Sequence, residues 1–249
     1  MEKIVLKLYN KNMKKIVEGS ISVKAVLESE KRQCEVLYVN KKKRNKDFAY
    51  IIALAKKRGI PVKLCTPEEI EAITQGKTHG GIALEVLERE FVQLDKKIEG
   101  MSCYIDGLED PYNFGSVCRT LYAAGCTALF LPKRDWSKSE STILKASAGA
   151  YEKLDLYFVA EDETFIQYLK KFQIPLYCAY RDQATSIYDI DYPKTCCIAI
   201  GGALRGLSRK ILDAANQNIV IDYARDFRNA LDTPSATAVI AFEIARRRR

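Results

Sequence analysis

The sequence predicts an α/β protein in which a larger unit with a parallel sheet follows a smaller α/β unit. From Met101 onward, strand-like apolar runs alternate with amphipathic helical patterns over short connections, which is typical of a parallel sheet covered by helices on both faces. A charged, irregular stretch at 88–100 precedes this region and predicts a boundary. We therefore divide the chain into 1–95 and 96–249. With 47% of its 249 residues apolar, the chain can fill a substantial core.

The smaller unit begins its alternation near Val23. Strands are predicted at Cys34–Val39 and Ile60–Cys65, with an amphipathic helix over Asp47–Lys56 between them. Thr66 followed by a proline predicts the capped start of another helix.

The larger unit carries six strand patterns and four helix patterns. The predicted strands are Cys103–Leu108, Ala128–Leu131, Leu154–Phe158, Pro175–Ala179, Cys196–Ile200 and Asn218–Ile221. The predicted helices are Ser116–Ala124, Phe165–Lys171, Leu207–Ala215 and Ser235–Arg248. Parallel sheets of this kind bind ligands beyond the carboxyl ends of their strands, so the loops at those ends are the candidate site.

Composition limits the classes of function. The eight cysteines form no Cys-x-x-Cys pair and only His79 could join them, so no metal site is expected. Their apolar surroundings predict buried, reduced thiols in a cytosolic protein. We expect neither a signal peptide nor a membrane span, because no apolar run approaches membrane length. The net charge of +8 favours a nucleic-acid partner, although proteins that bind none also carry such charge.

A loop with polar side chains follows the first strand of the larger unit. Pro111 and Gly115 are expected to shape a turn whose helix starts near Ser116, with free N–H groups facing the strand end. Asn113 and Arg119 are the polar side chains placed there. The alternative is an ordinary turn with a capping Asn and a surface Arg.

Two more loops lie at strand ends. The glycine-rich segment 201–207 lets main-chain groups approach a ligand, or is simply a turn before a helix; it is not a dinucleotide fingerprint. The segment from 219 to 235 contains Asp232, Thr233 and Ser235, which are good helix-capping residues.

In this order the motifs resemble the SpoU (TrmH-like) branch of the SPOUT RNA methyltransferases. The shared pattern is Asp-Pro-x-Asn-x-Gly-x-x-x-Arg, then Ser147–Ala150, then a Gly-rich loop ending in Arg-Gly-Leu, then a Leu-centred loop before an Ala-rich helix. The segments Gly19–Val26 and Thr78–Ala83 are similar to the family's N-terminal substrate-binding domain.

This resemblance implies a trefoil-knotted domain, an L30e-like N-terminal domain, a homodimer, and methylation of RNA ribose 2′-hydroxyls from S-adenosylmethionine. It assigns Asn113 and Arg119 to the catalytic pair of the first motif. It assigns donor binding to the second and third motifs, at Gly201, Gly206, Leu207, Ile221 and Leu231.

The later motifs depart from the family pattern. Ala203 stands where a Glu is usual, Asp222 where a Pro is usual, and Asp232 where an Asn is usual. The segment from Ile221 to Leu231 is also one residue longer than usual. Our hypothesis is that Asp232 replaces the carboxylate missing at Ala203; the alternative is that it caps the last helix.

The predicted function is therefore methylation of ribosomal or transfer RNA in the cytoplasm. The run Lys41, Lys42, Lys43 and Arg44 would contact RNA phosphates, unless these are only solvated charges. Arg246–Arg249 could bind RNA or form a frayed tail, and Trp136 could stack on a base or pack internally. Two alternatives remain: a catalytically silent RNA-binding factor, favoured by Ala203, and a small-molecule methyltransferase, disfavoured by the basic first unit.

Overall fold

The computed structural model describes residues 14–75, 79–89, 91, 94–202 and 205–248. The chain forms two compact units, Met1–Glu90 and Phe91–Arg249. The boundary at 95/96 falls a few residues further on and stays a prediction.

The described part of the first unit is a mixed four-stranded sheet with helices. Its elements are β1 (Lys15–Glu18), α1 (Ser20–Ser29), β2 (Cys34–Asn40), α2 (Lys46–Lys57), β3 (Val62–Cys65), α3 (Pro67–Ile73) and β4 (Ile82–Val86). The strand order is β1-β4-β2-β3, with β4 antiparallel to both neighbours and β2 parallel to β3. The patterns predicted for β2, α2 and β3 are confirmed, whereas β1 and β4 were not predicted. The sequence of β4 does not alternate, because four of its five residues are buried.

Local hydrogen bonds set the helix starts in this unit. The Asn45 side chain accepts the Phe48 N–H at 2.8 Å and begins α2. Thr66 and Glu69 form a reciprocal capping box at α3, with Pro67 at its first position, as predicted.

The second unit is a parallel sheet with helices. Its elements are β5 (Met101–Ile105), α4 (Pro111–Ala123), β6 (Cys126–Pro132), α5 (Glu140–Ala146), α6 (Ala150–Lys153), β7 (Asp155–Val159), α7 (Asp162–Phe172), β8 (Leu176–Ala179), β9 (Thr185–Ser186), β10 (Cys196–Ile200), α8 (Arg209–Asp213), β11 (Gln217–Val220) and α9 (Thr233–Arg247). The strand order is β7-β6-β5-β10-β8-β11-β9, and the pairs are parallel throughout. The predicted parallel sheet is confirmed.

Aromatic rings fill the core of this unit. Phe165 of α7 packs on Tyr104 of β5 and Phe130 of β6, with ring centroids 4.8 and 4.9 Å apart. All eight cysteines are free and six are buried, so the prediction of buried, reduced thiols is confirmed for those six. Burial raises the pKa of Cys126 and Cys178 to about 12, which keeps both as neutral thiols.

Helix α4 starts earlier than predicted. It begins at Pro111, and its cap is Asp110, whose carboxylate accepts the Asn113 N–H at 2.8 Å. The predicted start near Ser116 is therefore wrong, and so is a capping role for Asn113. Gly115 does not shape a turn either. A Cβ at Gly115 would lie 2.5 Å from the Cβ of Ala146, so the glycine lets α4 and α5 pack closely.

Smaller differences concern other helices. Helix α8 is shorter than the predicted Leu207–Ala215 and begins after Ser208, which caps it. Helix α9 begins two residues before the predicted Ser235, and α5 and α6 were not predicted. None of the described helices is both long and apolar enough to cross a bilayer.

Candidate active site

Three loops leave the carboxyl edge of the parallel sheet. The first loop (106–110) follows β5, the second loop (201–208) follows β10, and the third loop (221–232) follows β11. Strands β5 and β10 are neighbours, and β8 separates β10 from β11. Because the strands are parallel, all three loops open at the same edge.

The first and second loops touch through their main chains. The Asp106 N–H donates to the Ile200 carbonyl oxygen at 3.1 Å. A Cβ at Gly202 would lie 2.5 Å from the carbonyl oxygen of Gly107. Glycine is therefore required at position 202 for the two loops to approach this closely.

The second loop folds back on itself. The Gly206 N–H donates to the Gly202 carbonyl oxygen at 3.0 Å, and a Cβ at Gly201 would lie 2.4 Å from the Gly206 carbonyl carbon. The main chains of Gly201, Gly202 and Gly206 therefore lie directly against one another. Ala203 lies outside the described residues, so its missing carboxylate is an observation on the sequence alone.

The third loop reaches the second through Thr233, the first residue of α9. Its hydroxyl donates to the Gly201 carbonyl oxygen at 3.2 Å. Asp232 caps α9, since its carboxylate accepts the Ser235 N–H at 2.7 Å, so a capping role is observed, whereas its catalytic role stays a prediction. The expected convergence of the three loops is thus observed.

Both members of the predicted catalytic pair lie on α4: Arg119 is on the helix as predicted, whereas Asn113, expected in the loop, is in the first turn of the helix. Asn113 and Arg119 are both exposed, and neither side chain has a hydrogen-bond partner within the described part of the chain. A spacing of six residues places them about 9 Å apart along the helix axis and about 120° apart around it. The two side chains therefore project from different faces of α4, and Arg119 lies further along the helix from its start than Asn113.

A carboxylate cluster that the sequence did not reveal lies beside the first loop. Asp162 accepts hydrogen bonds from the Tyr104 hydroxyl at 3.2 Å and from the Ser208 hydroxyl. Burial, together with the Asp162 charge, raises the pKa of Asp106, although the Gly107 N–H opposes this at 2.7 Å. No sequence signal could find the cluster, because its members come from β5, the first loop, α7 and the second loop.

The residues around the converging loops suit a nucleoside. Leu207, Ile221 and Leu231 are half-buried, so they offer apolar surface without closing the site. Next to them, Gly201 and Gly206 of the second loop carry no side chains, so their main-chain groups can approach a ligand. Small-molecule sites commonly combine apolar walls with a few main-chain polar groups, so these residues fit an adenosine-containing cofactor.

In the first unit, the basic run is exposed as predicted, but its members differ. All four residues of the run, Lys41, Lys42, Lys43 and Arg44, are exposed. The Lys43 amine donates to the Gly80 carbonyl oxygen at 2.8 Å. Its side chain also packs on Gly81, where a Cβ would lie 3.0 Å from the Lys43 Cδ. Lys43 therefore stabilises a turn of its own unit.

The arginines at the end of α9 bind their own chain. Arg246 and Arg247 contact Glu243 at 2.8 and 2.7 Å. Arg247 also donates to the Tyr188 carbonyl oxygen, and Arg248 donates to that of Pro193 at 3.1 Å. The described part of this run is thus not a frayed tail, and Arg249 lies outside the described residues.

Trp136 belongs to the core. It is 7% exposed, and its ring centroid lies 4.9 Å from that of Phe114. The packing alternative is confirmed.

A cavity of about 360 Å³ lies at the opposite, amino-terminal edge of the sheet. Its lining includes Pro175 and Leu176 at the start of β8 and Asn216 before β11. It is therefore separate from the converging loops.

Comparison with known families agrees with this geometry. The sequence profile of the SpoU rRNA Methylase family matches residues 100–242, more than half of the chain. The chain belongs to this family. A second profile, described as RNA 2′-O ribose methyltransferase substrate binding, matches residues 16–92, which include most of the first unit.

Relatives of this SpoU protein extend over nearly its whole length. The 23S rRNA (guanosine-2′-O-)-methyltransferase RlmB of Xylella fastidiosa is 26% identical over 247 residues, covering 96% of this chain and 98% of its own. Among solved structures, the SpoU methyltransferase AviRb from Streptomyces viridochromogenes aligns with a TM-score of 0.77 at 18% identity, covering 94% of this chain and 90% of its own. An AdoMet-bound rRNA methyltransferase from Sinorhizobium meliloti aligns with a TM-score of 0.76 at 21% identity, covering 94% and 87%.

These matches confirm the predicted family and α/β fold class. Membership places the SpoU protein among the RNA methylases, the class of enzyme that the sequence predicted. The structural alignments support the fold of both units, since they cover 94% of the chain.

Proposed function

We propose that this protein transfers a methyl group from S-adenosylmethionine to a ribose 2′-hydroxyl of ribosomal RNA. The observation that carries the proposal is the convergence of three loops at one sheet edge, through Gly107 on Gly202 and Thr233 on Gly201. The family match and the activity in the name of the Xylella fastidiosa relative support it. Transfer RNA is the second candidate substrate.

The donor would be held by Gly201, Gly206, Leu207, Ile221 and Leu231. S-adenosylmethionine, when bound, supplies a methyl group that is already activated by its sulfonium. What remains for the protein is to align the acceptor hydroxyl and to remove its proton.

Arg119 and Asn113 would serve the acceptor side. A guanidinium does not lose its proton at neutral pH, so Arg119 would orient the hydroxyl or a neighbouring phosphate. Asn113, exposed on the first turn of α4, would hydrogen-bond the ribose.

Asp232 is the proposed proton acceptor in place of the carboxylate missing at Ala203. One of its oxygens caps α9. Asn is as good a cap as Asp, so Asp232→Asn removes the base and preserves the helix start. We expect single-turnover methylation to fall about 100-fold or more in this variant. An unchanged rate would assign Asp232 to capping alone.

The remaining proposals concern the assembly. We propose a trefoil knot, a homodimer and a cytoplasmic location, with the first unit binding RNA phosphates through Lys41, Lys42, Lys43 and Arg44. Tyr122 on α4 and Phe242 on α9 support a dimer, because both rings are about half exposed on helices that pack together. Light scattering after size exclusion would test it.

The experiment that tests the function uses purified protein with methyl-labelled donor and total RNA. Label that stays in alkali-resistant dinucleotides supports the proposal, because alkali cleaves RNA only next to a free 2′-hydroxyl. RNA binding without label would favour the silent factor that Ala203 suggests. Titration calorimetry with the donor alone tests the pocket separately.

A further inference from the structure

The third loop, which lies entirely within the described residues, is exposed and is not held by hydrogen bonds within its own main chain. Residues 224–230 are all exposed. Among the described residues, no hydrogen bond joins one main-chain group of 222–230 to another. Exposed segments without such bonds sample many conformations unless other groups hold them.

Arg181 holds this loop from outside. It follows β8, the strand between β10 and β11. Its guanidinium donates to the carbonyl oxygens of Arg228 at 2.6 Å and Asn229 at 2.7 Å. The planar fork of an arginine can bind two consecutive carbonyls at once, whereas a lysine amine has no such preset geometry.

Tyr223 holds the same loop from inside. Its hydroxyl accepts the Leu231 N–H at 3.0 Å. The Arg181 guanidinium lies over its ring, 5.3 Å from the centroid. Arg181 and Tyr223, which we call the clamp, therefore fix the main chain immediately before and at Leu231.

We propose that Arg181 and Tyr223 are positioning residues that hold the third loop in its donor-binding shape. The inference rests on the proposed function, because Ile221 and Leu231 are proposed donor contacts. The apparent dissociation constant of a ligand rises in inverse proportion to the fraction of protein in the binding-competent state. The clamp would therefore increase donor affinity by raising the fraction of protein in that state.

The test compares Arg181→Ala, Arg181→Lys and Tyr223→Phe with the control Arg225→Ala. Arg225 is an exposed arginine of the same loop that forms no hydrogen bond or ion pair with another described residue. Two quantities are measured: the dissociation constant for S-adenosylmethionine by calorimetry, and hydrogen exchange of the Leu231 amide without donor.

We expect Arg181→Ala to raise the dissociation constant about tenfold or more and to accelerate exchange at Leu231. Arg181→Lys should recover only part of the affinity, because it restores the charge without the fork. Tyr223→Phe should accelerate exchange at Leu231 and weaken donor binding. Arg225→Ala should match the wild type in both measurements. The thermal midpoints of all four variants should change little, because the loop is exposed.

The outcomes separate the clamp from the proposed function. If the wild-type protein binds no donor, the proposed function fails, while hydrogen exchange still tests whether the clamp orders the loop. Wild-type exchange in Arg181→Ala overturns the clamp. Faster exchange with unchanged donor affinity, or full rescue by Arg181→Lys, also overturns the inference.

Discussion

Thr233 links two of the three loops through a single hydroxyl group. Thr233→Val keeps the shape of the side chain but removes the bond to the Gly201 carbonyl oxygen. We expect a loss of about 1 kcal/mol in the free energy of unfolding, the usual net value of one hydrogen bond. Urea unfolding would measure it. Thr233→Ser retains the hydroxyl and is the matched control; equal midpoints for the Val and Ser variants would show that this bond contributes nothing.

The capping role of Asp232 can be tested by stability measurements, independently of catalysis. Asp232→Ala should cost about 0.5–2 kcal/mol because α9 loses its cap, whereas Asp232→Asn should cost little. Thermal unfolding of both variants is the measurement. A loss in the Asn variant as large as in the Ala variant would mean that charge, rather than hydrogen bonding, stabilises the start of α9.

At this scale, local chemistry was predictable and distant partners were not. Thr66 and Asp232 cap helices that begin in the next residues, so the neighbouring sequence contains the signal. Arg181 binds carbonyls 47 and 48 residues away, and Asp162 binds a tyrosine 58 residues away. Only the arrangement of the strands brings such pairs together.

Among the elements, α4 and α5 depend on one glycine for their contact. Gly115→Ala would place a Cβ 2.5 Å from that of Ala146 and 2.9 Å from the Ile143 carbonyl oxygen. Because main chain cannot move aside easily, we expect a cost of about 1–3 kcal/mol, measured by chemical denaturation. Ser116→Ala, at the next and exposed position of α4, is the control and should stay within about 0.5 kcal/mol. A tolerated Gly115→Ala would mean that the two helices separate without loss.

The end of α9 should be sensitive to acid. Hydrogen bonds from Arg246 and Arg247 lower the pKa of Glu243 from 4.5 to about 2. A lowered folded-state pKa adds stability above the unfolded value, and this stability is lost as the pH falls from about 4.5 towards 2. Glu243→Gln should therefore reduce the decline of the thermal midpoint across this window.

Glu71→Gln is the control for that pH series, since Glu71 is an exposed carboxylate of α3. It should leave the slope of midpoint against pH unchanged. A Glu243→Gln slope equal to that of the wild type would show that the arginine contacts do not stabilise the folded state.

Helix α4 begins at Pro111, five residues before the predicted start at Ser116. Asp and Asn are equally good caps, so Asn113 was a reasonable candidate for the end of the loop. The deciding signal was Pro111, which suits the first helical position and thus identifies Asp110 as the cap. The error displaced Asn113 and Gly115 from the helix into the loop.

For the whole molecule, the parallel sheet could be predicted from alternation, but its strand order could not. Strand β10 lies between β5 and β8 in the sheet, although it follows both of them in the sequence. Pairing of distant strands depends on packing of the whole sheet, which no local pattern encodes. The convergence of the second and third loops on Gly201 is a consequence of that order.

The charge of the whole molecule leads to the last prediction, on RNA binding. Lys41 and Lys42 are exposed in the first unit, whereas Lys43 stabilises its own turn. Each phosphate contact contributes about 0.7–0.9 to the slope of log affinity against log salt concentration. Lys41→Ala/Lys42→Ala should therefore lower the slope for a ribosomal RNA fragment by about 1.5 while leaving the thermal midpoint unchanged. Lys170→Ala/Lys171→Ala, which removes equal charge from α7, is the matched control. Equal slopes for the two double variants would mean that these lysines attract RNA only through net charge, and that the first unit does not direct its binding.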